Sequence, residues 1–248
     1  MVNIAIGNCA GYSSATGANN ISIGLDASYN SNGYNNVAIG NSAQYNSSGD
    51  YNVAIGYYAG LQNKCNYTVA IGGFALNSNT TGTPNTAVGG CSLYSNTSGI
   101  QNTALGFCTL ASNSTGGANT AIGAYSLGIN TTGCYNTAVG NTSLRCNSSG
   151  QQNTAIGHNA LYYNTSGNQN TAVGSESLFC NTTGCYNVAV GNRALCANTV
   201  GIYNIAIGYE ALRQSTTPNA NVAIGYQTLY NNTTGTSNVA VGLQSMYY

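Results

Sequence analysis

The chain has 248 residues, of which 4 are Lys or Arg and 4 are Asp or Glu, so 3% is charged against about a quarter in an ordinary soluble domain. A net charge of zero gives no electrostatic pull toward nucleic acid or an anionic membrane. One histidine, His158, and four scattered carboxylates leave few groups for acid–base or metal chemistry.

No apolar run nears the roughly 20 residues of a membrane-spanning helix, and Met1-Val2-Asn3-Ile4 is not a basic and then apolar leader. One motif recurs from Asn3-Ile4-Ala5-Ile6-Gly7 to Asn238-Val239-Ala240-Val241-Gly242: Asn, a β-branched residue, Ala, an aliphatic, Gly. Its 15 glycines are spaced 17, 16, 16 and 16 residues and then 17 residues ten times in succession, which marks a repeat architecture. Ala holds its place in 14 copies, with Ser22 the exception, and Asn opens 14. A second Gly follows nine or ten residues after the first in 12 of the 14 intervals, as at Gly99, Gly133 and Gly184. Glycine here is punctuation.

In the unit that starts at Gly140, Asn153-Thr154-Ala155-Ile156 alternates as a short strand, with residues 154 and 156 on one face and Ala155 on the other. A second strand is expected around Ser143-Leu144, and a turn at Asn147-Ser148-Ser149-Gly150, whose Gly tolerates positive φ. A unit this small cannot bury its apolar face alone, so successive units must stack through parallel ladders about 4.8 Å apart. The expected fold is all-β, a parallel β-solenoid or β-roll of about 15 coils with 16 to 17 residues each. Fourteen intervals would make a rod of roughly 65 to 70 Å. Helical repeats are excluded because each unit has too few consecutive residues without Gly or turn formers. A calcium-binding roll is excluded because the chain has two Asp in total.

Residues 1–248 read as a single repeat solenoid with variant coils over 1–71 and regular 17-residue coils over 72–248. From Gly72 onward the fourth residue after the motif Gly is Leu in ten coils and Met246 in the last; before it, that place holds Gly11, Ser28, Gln44 and Gly60. There the apolar residue moves one place on, to Tyr12, Tyr29, Tyr45 and Leu61. The expected core is the aliphatic before each Gly (Ile39, Ile55, Ile71, Val88, Leu105, Ile122, Val139, Ile156, Val173, Val190, Ile207 and Ile224) together with Leu93, Leu110, Leu127, Leu144, Leu161 and Leu178.

Stacking turns equal positions into ladders. Asn102, Asn119, Asn136, Asn153 and Asn170 form one, with amides able to bond along the axis. Glu176, Arg193 and Glu210 alternate in sign in three consecutive coils, which suits structural pairing. His158 has no Cys, Asp or Glu in its own coil, and reads as a surface or turn residue. Cys91 and Cys108 share a column one coil apart, within disulfide range, and Cys180 and Cys196 are near-equivalents. Without a CxxC pair no zinc site is expected, and most thiols are expected to be free. The turn asparagines Asn79, Asn96, Asn113, Asn130, Asn147, Asn164, Asn181 and Asn232 also read as glycosylation sequons, although the turn alone explains them. Thr86, Thr103, Thr120, Thr137, Thr154 and Thr171 form a column that suggests an ice-binding face, although Thr is also simply a good strand residue.

The units Asn153-Thr-Ala-Ile-Gly157 through Gly167 and Asn221-Val-Ala-Ile-Gly225 through Gly235 resemble repeats of bacterial and viral tail-fibre-domain proteins. More distantly, Asn-x-Ala-Ile-Gly is similar to the head repeat of trimeric autotransporter adhesins. The resemblance implies a left-handed parallel β-roll, three chains side by side, in a fibre projecting from a virion or cell surface.

The expected function is a non-catalytic structural fibre or filament subunit without cofactor or metal, whose partner is itself, as a homotrimer. The motif already running at Asn3 and a chain stop in mid-coil suggest uncapped ends that stack head to tail. The alternative is a surface adhesin or receptor-binding tail fibre that takes a receptor or glycan on Tyr94, Tyr162 and Tyr230, or on Tyr135, Tyr186 and Tyr203. Ice binding is the minor alternative.

Overall fold

A computed structural model describes residues 2–13 and 17–247; Met1 and Tyr248, which belong to the leader and chain-end readings, lie outside them. The protein is an all-β parallel solenoid with one short strand per coil. It forms two compact units, Met1–Asn119 and Thr120–Tyr248, a division that does not follow the change of coil length at Gly72. The first unit carries β1 (Ile4–Ile6), β2 (Ile21–Ile23), β3 (Val37–Ile39), β4 (Val53–Ile55), β5 (Val69–Ile71), β6 (Asn85–Val88) and β7 (Asn102–Leu105). The second carries β8 (Thr120–Ile122), β9 (Thr137–Val139), β10 (Thr154–Ile156), β11 (Thr171–Val173), β12 (Val188–Val190), β13 (Ile205–Ile207), β14 (Val222–Ile224) and β15 (Val239–Val241). Within each unit every strand pairs in parallel with the next in chain order, and like positions align, as Thr154, Ala155 and Ile156 do with Thr171, Ala172 and Val173.

The expected second strand is absent. Around Ser143-Leu144 the chain turns, because Thr142 (φ 55°) and Leu144 (φ 52°) both adopt left-handed backbone. The segment still bonds to its neighbours: Thr142 N donates to Ala124 O at 2.9 Å and Leu144 N to Ala160 O at 2.9 Å. Backbone donors are thus satisfied by the adjacent coils without strand dihedrals. Gly150 is not at positive φ. It is required because a Cβ there would lie 2.3 Å from Asn147 Oδ1 and 2.5 Å from Gly167 O. The motif glycine is required twice over: Gly157 has φ 134°, and its Cβ would lie 2.6 Å from Gly174 O.

The strand faces are the reverse of the expectation. Ala38, Ala87, Ala104, Ala121, Ala138, Ala155, Ala172, Ala189, Ala206 and Ala223 are fully buried. Of the aliphatics expected inside, Ile39, Ile55, Ile71, Val88, Val139, Val173 and Val190 are half-buried, and Leu105, Ile122, Ile156, Ile207 and Ile224 are exposed, Ile156 at 40%. The cause is the narrowness of the coil. Ser126, on the wall opposite the strand, donates from Oγ to Ala138 O at 3.1 Å, so between the walls there is room for Ala, Ser or Thr only. The apolar filling comes instead from Leu93, Leu110, Leu127, Leu144, Leu161 and Leu178, all at 0% exposure. In the early coils Tyr29, Tyr45 and Leu61 are half-buried and Tyr12 is 70% exposed, so they do not replace those leucines in the core.

Two ladders of buried amides complete the interior. In the first, Asn102 N donates to Asn85 Oδ1 at 2.9 Å and Asn119 N to Asn102 Oδ1 at 3.0 Å. The second unit repeats this, with Asn153 N on Asn136 Oδ1 and Asn170 N on Asn153 Oδ1, both at 3.0 Å. Each amide also reaches across the coil: Asn187 Nδ2 donates to Asn170 Oδ1 at 3.1 Å and to Gly201 O at 2.7 Å. The other ladder runs through the turns, where Asn164 Nδ2 donates to Asn147 Oδ1 at 2.8 Å and to Gly167 O at 3.0 Å. Hydrogen bonds of this kind are worth about 1 kcal/mol each when made and cost more when a buried partner is orphaned.

Candidate interaction surfaces

The turn ladder removes the sequon reading for seven of the eight asparagines; Asn232, near the end of the column, is half-buried and donates to Gly235 O at 3.2 Å. Asn79, Asn96, Asn113, Asn130, Asn147, Asn164 and Asn181 are all at 0% exposure, and Asn79, Asn96, Asn147, Asn164 and Asn181 each donate from Nδ2 to a neighbouring Oδ1 and a glycine carbonyl. A nitrogen so held cannot accept a glycan in the folded chain. The Asn recurring seven residues after the motif Gly from Gly56 onward, with Ser215 the exception, was the available signal for this ladder; its local turn chemistry concealed it.

The outer strand face carries what the interior excludes. Across β8 to β15 the outward pairs are Thr120/Ile122, Thr137/Val139, Thr154/Ile156, Thr171/Val173, Val188/Val190, Ile205/Ile207, Val222/Ile224 and Val239/Val241, with no charge among them. Eight strands about 4.8 Å apart and about 10 Å long present on the order of 350 Å² of flat, mainly apolar surface, comparable with the largest patch on a typical monomer. The threonine column lies on this face. Thr86 pairs with Thr103 in the first unit, and Thr120, Thr137, Thr154 and Thr171 pair in succession in the second.

Rings stack where they fall in one column. Tyr186 and Tyr203 lie with centroids 4.9 Å apart at 11°, and both are exposed. Tyr135, in the same column, is exposed at 65%. Tyr162 stacks on Phe179 and Tyr230 on Tyr247, while Tyr94 meets Phe74 edge-on at 6.2 Å.

Arg193 Nε pairs with Glu176 Oε2 at 2.7 Å, and this contact holds the guanidinium pKa above its usual value. Glu210 turns instead to Arg213 Nε at 3.3 Å and accepts from Gln227 Nε2 at 2.9 Å, so the three-coil alternation closes as two separate pairs. The Arg193–Glu176 pair is open to solvent and adds little to stability, whereas Glu210 is buried.

All nine cysteines are free thiols. Cys91 and Cys108 are adjacent: burial first, and then the Cys91 thiol, raise the Cys108 pKa. Cys180 N donates to Cys196 O at 3.0 Å across neighbouring coils. Burial, then Cys180 and Glu176, push Cys196 up to about 11. His158 is exposed, and among the described residues no three His, Cys, Asp or Glu side chains gather into a metal-binding group.

The chain matches no protein-family model, no curated protein and no solved structure.

Proposed function

We propose that this chain is a structural subunit of a surface fibre, a non-catalytic solenoid that associates side by side with copies of itself as a homotrimer. The observation that carries this reading is the outer strand face, an uncharged run of Val, Ile and Thr left open to solvent on a parallel sheet. Parallel sheets are ordinarily covered on both faces, and a second copy offers a surface of the same repeat and the same flatness. The two buried amide ladders support a structural role, since they stiffen a chain that has almost no ion pairs. The resemblance of the repeats to tail-fibre repeats supports the same reading, with the fibre on a virion or cell surface.

Light scattering of the purified chain tests the reading. The expected mass is about three times the 25.3 kDa of one chain, falling to one chain when Ile156, Val173 and Val190 are changed together to Lys. A wild-type mass of one chain would overturn it.

The second reading, a receptor-binding fibre or adhesin, is favoured by the exposed Tyr186–Tyr203 stack, whose amphipathic rings suit a glycan or receptor.

A further inference from the structure

Only four carboxylates exist in the chain, and three are held. Glu176 and Glu210 sit in ion pairs, and Asp50 Oδ1 accepts Tyr34 N at 2.8 Å. Among the described residues the Asp26 carboxylate has neither an ion pair nor a hydrogen bond, although the residue is half-buried. It lines a groove of about 380 Å³ together with Ser42, Tyr45, Asn46, Tyr58 and Leu61.

The repeat explains why a groove opens there. Asp26, Ser42 and Tyr58 occupy the same column in three successive coils, all in left-handed backbone at φ 54°, 53° and 54°. Ser42 is small and buried, so it forms a floor between two larger neighbours two rungs apart, a separation of about 9.6 Å. The walls are set in advance. Tyr58 is braced by Tyr57 at 4.1 Å and by Phe74 at 5.7 Å, and Tyr45 is stacked on Tyr29 at 5.0 Å and 6°. Ser42 Oγ donates its proton to Asn41 Oδ1 at 2.8 Å, which leaves its lone pairs to accept.

A carboxylate without a partner, facing an aromatic ring across a gap with an acceptor at its base, is the complement of a planar cation. We propose that this groove binds an organic guanidinium, which donates two N–H groups to Asp26 and one to Ser42 Oγ while its plane stacks on Tyr58. The four Lys and Arg of the chain contribute no residue to the groove, so the cation comes from outside. This site is independent of the fibre reading and stands whether the chain is monomeric or assembled.

The test is an NMR titration of the full chain with agmatine, with methyl glucoside as a neutral polyol of similar size. Agmatine is expected to bind weakly, with a dissociation constant of about 1 mM, and methyl glucoside not at all. Asp26→Asn is expected to weaken agmatine binding about tenfold, and Tyr58→Leu about threefold. Asn is well tolerated in left-handed backbone, so an unchanged circular dichroism spectrum accompanies the loss. Equal binding to wild type and Asp26→Asn, binding of the glucoside in place of agmatine, or no binding by wild type would each overturn the proposal.

Discussion

The coils that begin at Gly40 and at Gly140 differ by one residue in length, and that residue changes what the interior can satisfy. In the longer coil Leu144 fills the centre, and Asn147 bonds both Asn130 Oδ1 and Gly150 O. In the shorter one Gln44 stands in the leucine's place and Ser47 in the asparagine's, and Gln44 Nε2, Gln44 Oε1 and Ser47 Oγ are buried without a hydrogen-bond partner. The missing residue lies in the turn, where the Asn needs three residues to reach the glycine carbonyl ahead of it. The junction coil shows the changeover. Asn63 is the first amide that the turn ladder reaches, accepting from Asn79 Nδ2 at 2.7 Å, and its own Nδ2 donates to Thr68 Oγ1 at 2.6 Å. Thr68, the one motif start that is not Asn, in turn donates to Asn52 Oδ1 at 2.8 Å. Around Gly72 the ladder, the central side chain and the coil length all change within two coils, but length alone does not set the other two: the first coil has 17 residues with Gly11 in the leucine's place, and Asn63 already joins the ladder in a coil of 16.

That comparison can be broken most sharply in the longer coils. Leu161→Ala should cost about 2–5 kcal/mol, because Leu161 is fully buried and its stacked neighbours cannot close the gap; chemical denaturation would measure it. Asn164→Ala should cost about 1–3 kcal/mol by orphaning Asn147 Oδ1 and removing the oxygen that accepts from Asn181 Nδ2, while Gly167 O keeps its bond from Asn153 Nδ2, read in the same way. In the shorter coils the sign reverses. Gln44→Leu should raise stability by about 1 kcal/mol, since it removes an unpaired buried amide at nearly constant volume, and a lowered melting temperature would show that the amide is satisfied. The smallest effect is chemical: Cys196, pushed up to about 11 by burial, should react with iodoacetamide at pH 8 more slowly in the folded chain than in urea.

Much of this architecture was legible because a solenoid writes its geometry as spacing. The glycine columns, the parallel coils and the buried leucines all follow from fixed offsets in the sequence. Which face of the strand lies inside did not, since alternation at Thr154, Ala155 and Ile156 defines two faces without ranking them. The usual rule, large apolar side chains inward, fails here because the inward Ala of each strand shares a narrow coil with a second buried column of Ser, Thr or Ala, as at Ser126, Ala160 and Ala194, close enough in one coil for Ser126 Oγ to reach Ala138 O. The second strand failed for a related reason. Leu144 looks like a strand residue, but it reaches the centre from a left-handed turn at φ 52°, a conformation that nothing in its side chain announces. The turn asparagines carried two chemistries in one pattern, and only the carbonyl acceptors ahead of them distinguish a ladder from a sequon.

Circular dichroism of Ala155→Asp and Ile156→Asp, compared side by side, tests the inside-out strand most directly. Ile156→Asp should keep the wild-type β spectrum, because its side chain points to solvent, and Ala155→Asp should lose it by placing an unpaired charge between the walls. A folded Ala155→Asp together with an unfolded Ile156→Asp would contradict the account.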